Sequence, residues 1–232
     1  MLSPLLQHVS FLPNGNQNLY KSVSIHQLLQ MKQETEKYEG FYPGCSGGDY
    51  DGLDALKWLE SVLPHPVSLI PLRKAEKRPA VKAWTDIRVD DRKDLAFRAL
   101  FTEQTGIGLL CGEPSSGLCM IDIDKDEFVD HMEVVLPVLV TAPKIHGARG
   151  CKWLVKCVGS QSGFGLVDAL GNRIGEFLSE RQQGVVAGIH PVTAKPYRWD
   201  RLPPVPTLDI LPLIKYFSRN HPNNYDRCLQ DR

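Results

Sequence analysis

The chain has 232 residues, enough for one large domain or two small ones, and 27 basic side chains balance 27 acidic ones to a formal net charge of zero. That balance argues against a non-specific nucleic-acid coat protein, which is basic. With 42% hydrophobic and 23% charged residues the composition is that of a soluble globular protein, and no run approaches the roughly 18 apolar residues needed to span a bilayer, so no membrane partner is expected.

Residues 1–23 carry several breakers and no period, and read as a loose arm. They lack a basic n-region and are interrupted by Pro4, Pro13 and Gly15, which argues against a signal peptide. Ser24 and Gln27 stand in capping-box spacing and predict a helix over 25–38. A Gly-rich loop, 40–52, leads into a short amphipathic helix from Asp54 with Leu56, Leu59 and Leu63 in helical spacing. VSLIPL, 67–72, reads as a buried strand, and the basic cluster RKAEKR follows at 73–78. DDRKDLAFRALFTEQ opens on acids and predicts a helix through Leu95, Phe97, Leu100 and Phe101.

Strands then dominate. GIGLLCG (106–112) and GLCMIDID (117–124) flank the turn signal EPSS and predict a hairpin. DEFVDHMEVVL reads as a helix. VLVTA (138–142), CKWLVKC (151–157), RIGEFLS (173–179) and GVVAGI (184–189) read as strands, and a helix is expected from Leu208, kinked or started at Pro212. Helices mixed with strands on mostly short loops predict an α+β fold built on antiparallel sheet. The cysteines at 45, 111, 119, 151, 157 and 227 show no CxxC pair and no zinc-finger spacing, and four lie in strand-like runs. Buried free thiols of a cytoplasmic protein are expected.

The sharpest feature is GLCMIDIDKD, 117–126, which sets Asp122 and Asp124 in an otherwise apolar strand. Side chains at i and i+2 share a strand face, so the two carboxylates repel unless solvent, a basic group or a metal cation answers them. Carboxylate oxygens are hard ligands suited to Mg²⁺ or Mn²⁺. A third acid would complete a two-metal site for in-line attack at phosphorus, and Glu176 in RIGEFLS is the candidate. The plain alternative is that these acids solvate a strand end. Trp84, Trp153, Tyr197 and Trp199 read as core before they read as base-stacking platforms, and Lys77 and Lys82 as a solvated loop. Gly106, Gly108 and Gly112 fit a tight hairpin as well as a phosphate cradle.

In order along the chain stand KRPAVKAW (77–84), TGIGLLCGEPSSG (105–117), MIDID, HGARGCKWLVK (146–156), IGEFLS and GIHPVTAKPYRW (188–199). This succession, over about residues 65–200, resembles the bifunctional primase-polymerase (prim-pol) family of the archaeo-eukaryotic primase superfamily. The resemblance implies a prim-pol-like fold with an RRM-like catalytic part, over 41–220, between an N-terminal arm and helix (1–40) and a tail (221–232). It implies a template-dependent nucleotidyl transferase serving plasmid, phage or mobile-element replication, with Mg²⁺ or Mn²⁺ as cofactor and single-stranded DNA and nucleoside triphosphates as partners. Asp122, Asp124 and Glu176 match the metal-binding, catalytic acids, and His190 matches a histidine that meets nucleotide phosphate. Lys152 stands where the family usually carries a histidine, and with Arg149 is the expected nucleotide-binding group. The arginine that often follows the third acid is missing, and Thr193-Ala194 replaces Thr-Gly. No GxxxxGK[ST] occurs, so a replicative helicase is expected on a separate chain or a C-terminal part, and the ending LQDR fits a truncated or minimal protein. A non-catalytic nucleic-acid-binding protein and a metal-dependent nuclease are the alternatives.

Overall fold

The computed structural model describes residues 40–214, apart from 46–48, 65, 103–105, 159–161, 169, 203 and 212. The expected N-terminal arm, the helix over 25–38 and the C-terminal tail lie outside the described residues. The architecture is α+β with two mostly antiparallel sheets. The chain enters through α1 (Gly52–Val62), capped by Asp51, whose carboxylate accepts from the Asp54 N–H. Ala55, Leu56 and Leu59 are its fully buried face.

The smaller sheet has the order β1-β2-β8, from β1 (Leu69–Pro71), β2 (Ile107–Leu110) and β8 (Gln183–Ala187). The larger runs β6-β7-β3-β5-β4-β9, from β3 (Leu118–Ile123), β4 (Lys144–His146), β5 (Cys151–Cys157), β6 (Phe164–Val167), β7 (Arg173–Leu178) and β9 (Arg198–Arg201). A two-residue β10 (Thr207–Leu208) adds to β5 in parallel.

The central strands β3 and β5 of the larger sheet are largely buried on both faces. Leu118 and Met120 of β3 join Leu154 and Leu178 in a core shared with the smaller sheet and α1. Cys119, Ile121 and Ile123 point the other way, into a second core with Trp153 and Phe177. That second core is covered by α3 (Val129–Val135) and by the helical residues 210, 211, 213 and 214, so the helix expected from Leu208 starts at Ile210. Strands buried on both faces read as continuous apolar runs. Each fully buried large side chain contributes about 1.5–3 kcal/mol.

Three expectations are corrected. The segments 106–112 and 117–124 do not form a hairpin: β2 and β3 belong to different sheets, and past the end of β2 Gly112 meets Leu118 in an isolated bridge. Gly112 at φ 87° opens a 3-10 turn over Glu113–Ser115, and the buried Ser115 hydroxyl bonds the Leu110 carbonyl and the Ser68 N–H, turning the chain out of the first sheet. Residues 138–142 are not a strand: 138–140 belong to a 3-10 helix, Pro137–Val140, whose proline supplies a preset helical φ. The helix expected from 90 onward is broken: a 3-10 turn (Val89–Lys93) ends at the extended Asp94, which caps a four-residue α2 (Leu95–Arg98). The described cysteines 45, 111, 119, 151 and 157 are free, the last four buried; burial pushes the Cys111 and Cys151 thiols up, and the hydrogen bond with Cys119, then burial, pushes Cys157 up.

Candidate active site

Along the inner face of the larger sheet, Met120 pairs with Leu154 on β5 and Leu178 on β7. Two residues further, the same three strands bring Lys152, Asp122 and Glu176 into one row, with Asp122 directly opposite both partners. Residues directly opposite in antiparallel strands share a face with Cβ atoms about 5 Å apart. The face therefore changes from apolar to charged in one step. Asp124 lies just past the end of β3, and its N–H bonds the Ile174 carbonyl at 2.9 Å, which continues the pairing with β7.

Each carboxylate is answered differently. The Lys152 ammonium lies 3.0 Å from Asp122 Oδ1 and 2.9 Å from Oδ2, in an ion pair that leaves the lysine 7% exposed. Glu176 accepts from Arg173 at 2.8 Å, in a more exposed pair within β7. Asp124 is exposed and has no ion-pair partner among the described residues.

The row faces a wall made by the segment after β8. Its Tyr197 ring centroid stands 5.9 Å from Lys152 Nζ and 5.6 Å from the His190 ring. Burial and then the Asp122 charge push the Tyr197 phenol up, and its hydroxyl is buried with no hydrogen-bond partner among the described residues. His190 is buried, and its Nδ1 accepts from the Val192 and Thr193 N–H groups at 3.2 and 3.3 Å. That turn places the ring proton on Nε2 when the imidazole is neutral. Burial lowers the His190 pKa, and the Lys77 and Lys152 charges lower it further. Lys77 is held near by its carbonyl, which accepts from Gln183 Nε2 at 2.7 Å.

The loop between β4 and β5 passes beneath this wall. A Cβ at Gly147 would come within 3.1 Å of the Tyr197 ring, and one at Gly150, with φ 59°, within 1.8 Å of the Ile123 carbonyl. The glycines of HGARG thus let the loop pack against the DxD strand end and against Tyr197. Arg149 stands exposed on this loop, and no ion pair among the described residues ties it to the row. His146 belongs to a separate pair, 2.5 Å from Asp200. Burial pushes the Asp200 carboxyl up, but its close approach to His146 and the Arg198 and Lys144 charges outweigh it.

The structure therefore brings together Asp122, Glu176, Lys152 and His190, sets Asp124 at the strand end, and leaves Arg149 exposed on the adjoining loop. Tyr197 and Lys77 join them. Sequence reading placed Tyr197 in the core, which is also true, since it is 2% exposed. Only the fold reveals that its hydroxyl lies beside an acid. Clefts of about 340 and 380 Å³ lie elsewhere, lined by residues such as Val81 and Phe97 or Leu63 and Val205.

The acids suit a divalent cation in donor chemistry and register, since Asp122 and Glu176 are nearest neighbours and a cation, the Lys152 ammonium, already bonds both Asp122 oxygens. With the side chains engaged by Lys152 and Arg173, no three His, Cys, Asp or Glu among the described residues converge as a ready ligand set. Among those residues no helix is long and apolar enough to cross a membrane.

One comparison bears on this geometry. A family model described as Bifunctional DNA primase/polymerase, N-terminal, matches residues 62–212, from the last residue of α1 to beyond β10, well over half of the chain. No curated protein matches the chain.

Proposed function

The chain belongs to the bifunctional DNA primase/polymerase (Prim-Pol) family, and from that premise we propose that this primase/polymerase-type domain is a template-dependent nucleotidyl transferase that starts and extends DNA strands. The observation that carries the proposal is the row Lys152–Asp122–Glu176 at the mouth between two sheets, facing His190 and Tyr197. Nucleotidyl transfer joins a 3′ hydroxyl to the α-phosphorus of a nucleoside triphosphate and expels pyrophosphate. Its demands are charge neutralisation, in-line positioning and exclusion of water.

Asp122 and Glu176, with Asp124 at the strand end, are the residues that would hold Mg²⁺ or Mn²⁺. Such an ion supplies charge neutralisation at the phosphates and lowers the pKa of an oxygen nucleophile. Lys152 contributes a positive charge beside the acids. It acts as a point charge for phosphate rather than as a proton carrier. His190, kept neutral by burial and neighbouring lysines, presents its Nε2–H as a hydrogen-bond donor to phosphate oxygen. Lys77 and the exposed Arg149 supply further positive charge at the rim, suited to the triphosphate or to the backbone of a single-stranded DNA template. A replicative helicase on a separate chain and a role in plasmid, phage or mobile-element replication complete the reading.

Primer extension with labelled nucleotide, in Mg²⁺ and in Mn²⁺, tests it. Incorporation that depends on template, metal and Asp122 is the expected result. The pairing of Asp122 with Lys152, where the family usually has a histidine, favours a second reading: a nucleic-acid-binding relative that has lost turnover. DNA binding without incorporation under either metal would select it.

A further inference from the structure

We propose that Lys152 is a counter-cation built into the site, which competes with divalent metal for Asp122 and yields to it by shifting onto Tyr197. The proposal rests on the reading of Asp122 as a metal ligand. Three observations carry it. The ammonium bonds both Asp122 oxygens, at 3.0 and 2.9 Å, so it occupies the positions that a metal ion would take. It does so in a nearly dry place, since Lys152 is 7% exposed and the next row along its strand is the apolar Leu154, Met120 and Leu178. A few ångströms away lies a second seat. The Tyr197 ring is already within cation–π range of Nζ, at 5.9 Å, and its hydroxyl is buried and unpartnered among the described residues.

An ammonium and a doubly charged metal cannot share one carboxylate at bonding distance without strong like-charge repulsion. Entry of metal therefore displaces the ammonium. The lysine stem is flexible, with three rotatable donors. Turned toward Tyr197, it gives the orphaned hydroxyl a partner and keeps a cation over the ring face. The displaced charge also stays inside the site, where it meets the triphosphate. The acids are thus held together before the metal arrives, at the cost of weakened metal affinity.

The test reads metal binding directly, without nucleotide or DNA, by Mn²⁺ titration followed by electron paramagnetic resonance of the free ion. The parent is compared with Asp122→Asn, Lys152→Met, Lys152→Gln and Lys156→Met, each first shown to unfold cooperatively. Lys156 is exposed on the same strand, four residues from Lys152, and its variant sets the baseline for losing one positive charge. Binding in the parent that is lost in Asp122→Asn supports the metal-site reading. On that background, Mn²⁺ affinity at least about fivefold tighter in either Lys152 variant than in Lys156→Met supports competition. Affinity equal to that of Lys156→Met overturns the competition while leaving the metal site standing. Binding that Asp122→Asn does not alter, or no binding in any protein, overturns both.

Discussion

Asp122 and Glu176 stand directly opposite each other on β3 and β7, and Lys152 faces Asp122 from β5 on the other side. Two like charges in that position destabilise a sheet, so the opposing cation is part of what allows the row to exist. This arrangement makes the two acids differ in a measurable way. Asp122→Asn should abolish nucleotide incorporation and also destabilise the fold by about 3 kcal/mol, because it strands the buried Lys152 ammonium. Glu176→Gln should cut incorporation by at least about a hundredfold with under about 1 kcal/mol of stability lost, because its pair with Arg173 is substantially exposed. Urea denaturation beside primer extension reads both. Full metal-dependent activity in Asp122→Asn would remove the acid from the mechanism.

Tyr197→Phe removes a hydroxyl that is buried without a partner among the described residues. The variant should unfold at higher urea concentration than the parent, by about 1 kcal/mol, since burying an unsatisfied group is costly. It should also weaken Mn²⁺ binding, because Lys152 loses the seat to which it moves. A variant less stable than the parent would show that the hydroxyl has a partner in the resting protein.

His190 titrates below the ordinary histidine range because burial, Lys77 and Lys152 all disfavour its charged form. The sign follows from linkage: the unfolded chain takes up the proton first, near pH 6.5, so the contribution of His190 is complete above that pH. It is lost as pH falls through the lower folded value. Urea unfolding of the parent should therefore lose more stability between pH 7.5 and pH 5 than that of His190→Gln. Equal losses would mean that the imidazole is as free to ionise in the fold as outside it.

On the opposite face of the larger sheet, Glu133 on α3 gathers Lys144 at 3.1 Å, the Trp153 indole N–H at 3.2 Å and Arg201. Burial pushes this carboxyl up, but the Lys144 and Arg201 charges outweigh it and hold it below the usual range. Glu133→Gln removes the carboxylate that the two cations share, one of them buried, and should cost about 3 kcal/mol or more by thermal or urea melts. The parent should lose this contribution as pH falls below about 4.3. A loss under about 1 kcal/mol would show that the cations find other partners.

Much of the candidate site was legible in the sequence because chemistry out of place is local information. Asp122 in an apolar strand, Asp124 two residues on, Glu176 in a second such strand and His190 before a proline each stand out without a fold. The central strands β3, β5 and β7 of the larger sheet also announced themselves, through apolar runs such as CKWLVKC, whereas the shorter β4, β6 and β9 carry no such run and were not expected. The same property misled at 138–142, where an apolar run is a 3-10 helix behind Pro137, because periodicity cannot separate short buried segments of either kind.

The sequence alone determined the class of the fold and which residues carry unusual chemistry, because composition, alternation and misplaced charge are properties of a few neighbouring positions. Only the tertiary structure decided what answers each charge. Whether Lys152 faced solvent or the acids depended on the pairing of β5 with β3, and a slip of one residue would have turned it to the other face. Separation of β2 and β3 into two sheets depended on the buried Ser115 hydroxyl reaching Leu110 and Ser68. Placement of the Tyr197 hydroxyl beside Asp122 joined residues 75 positions apart. Register and long-range hydrogen bonds are set by the packing of the whole chain, and no short stretch of it contains them.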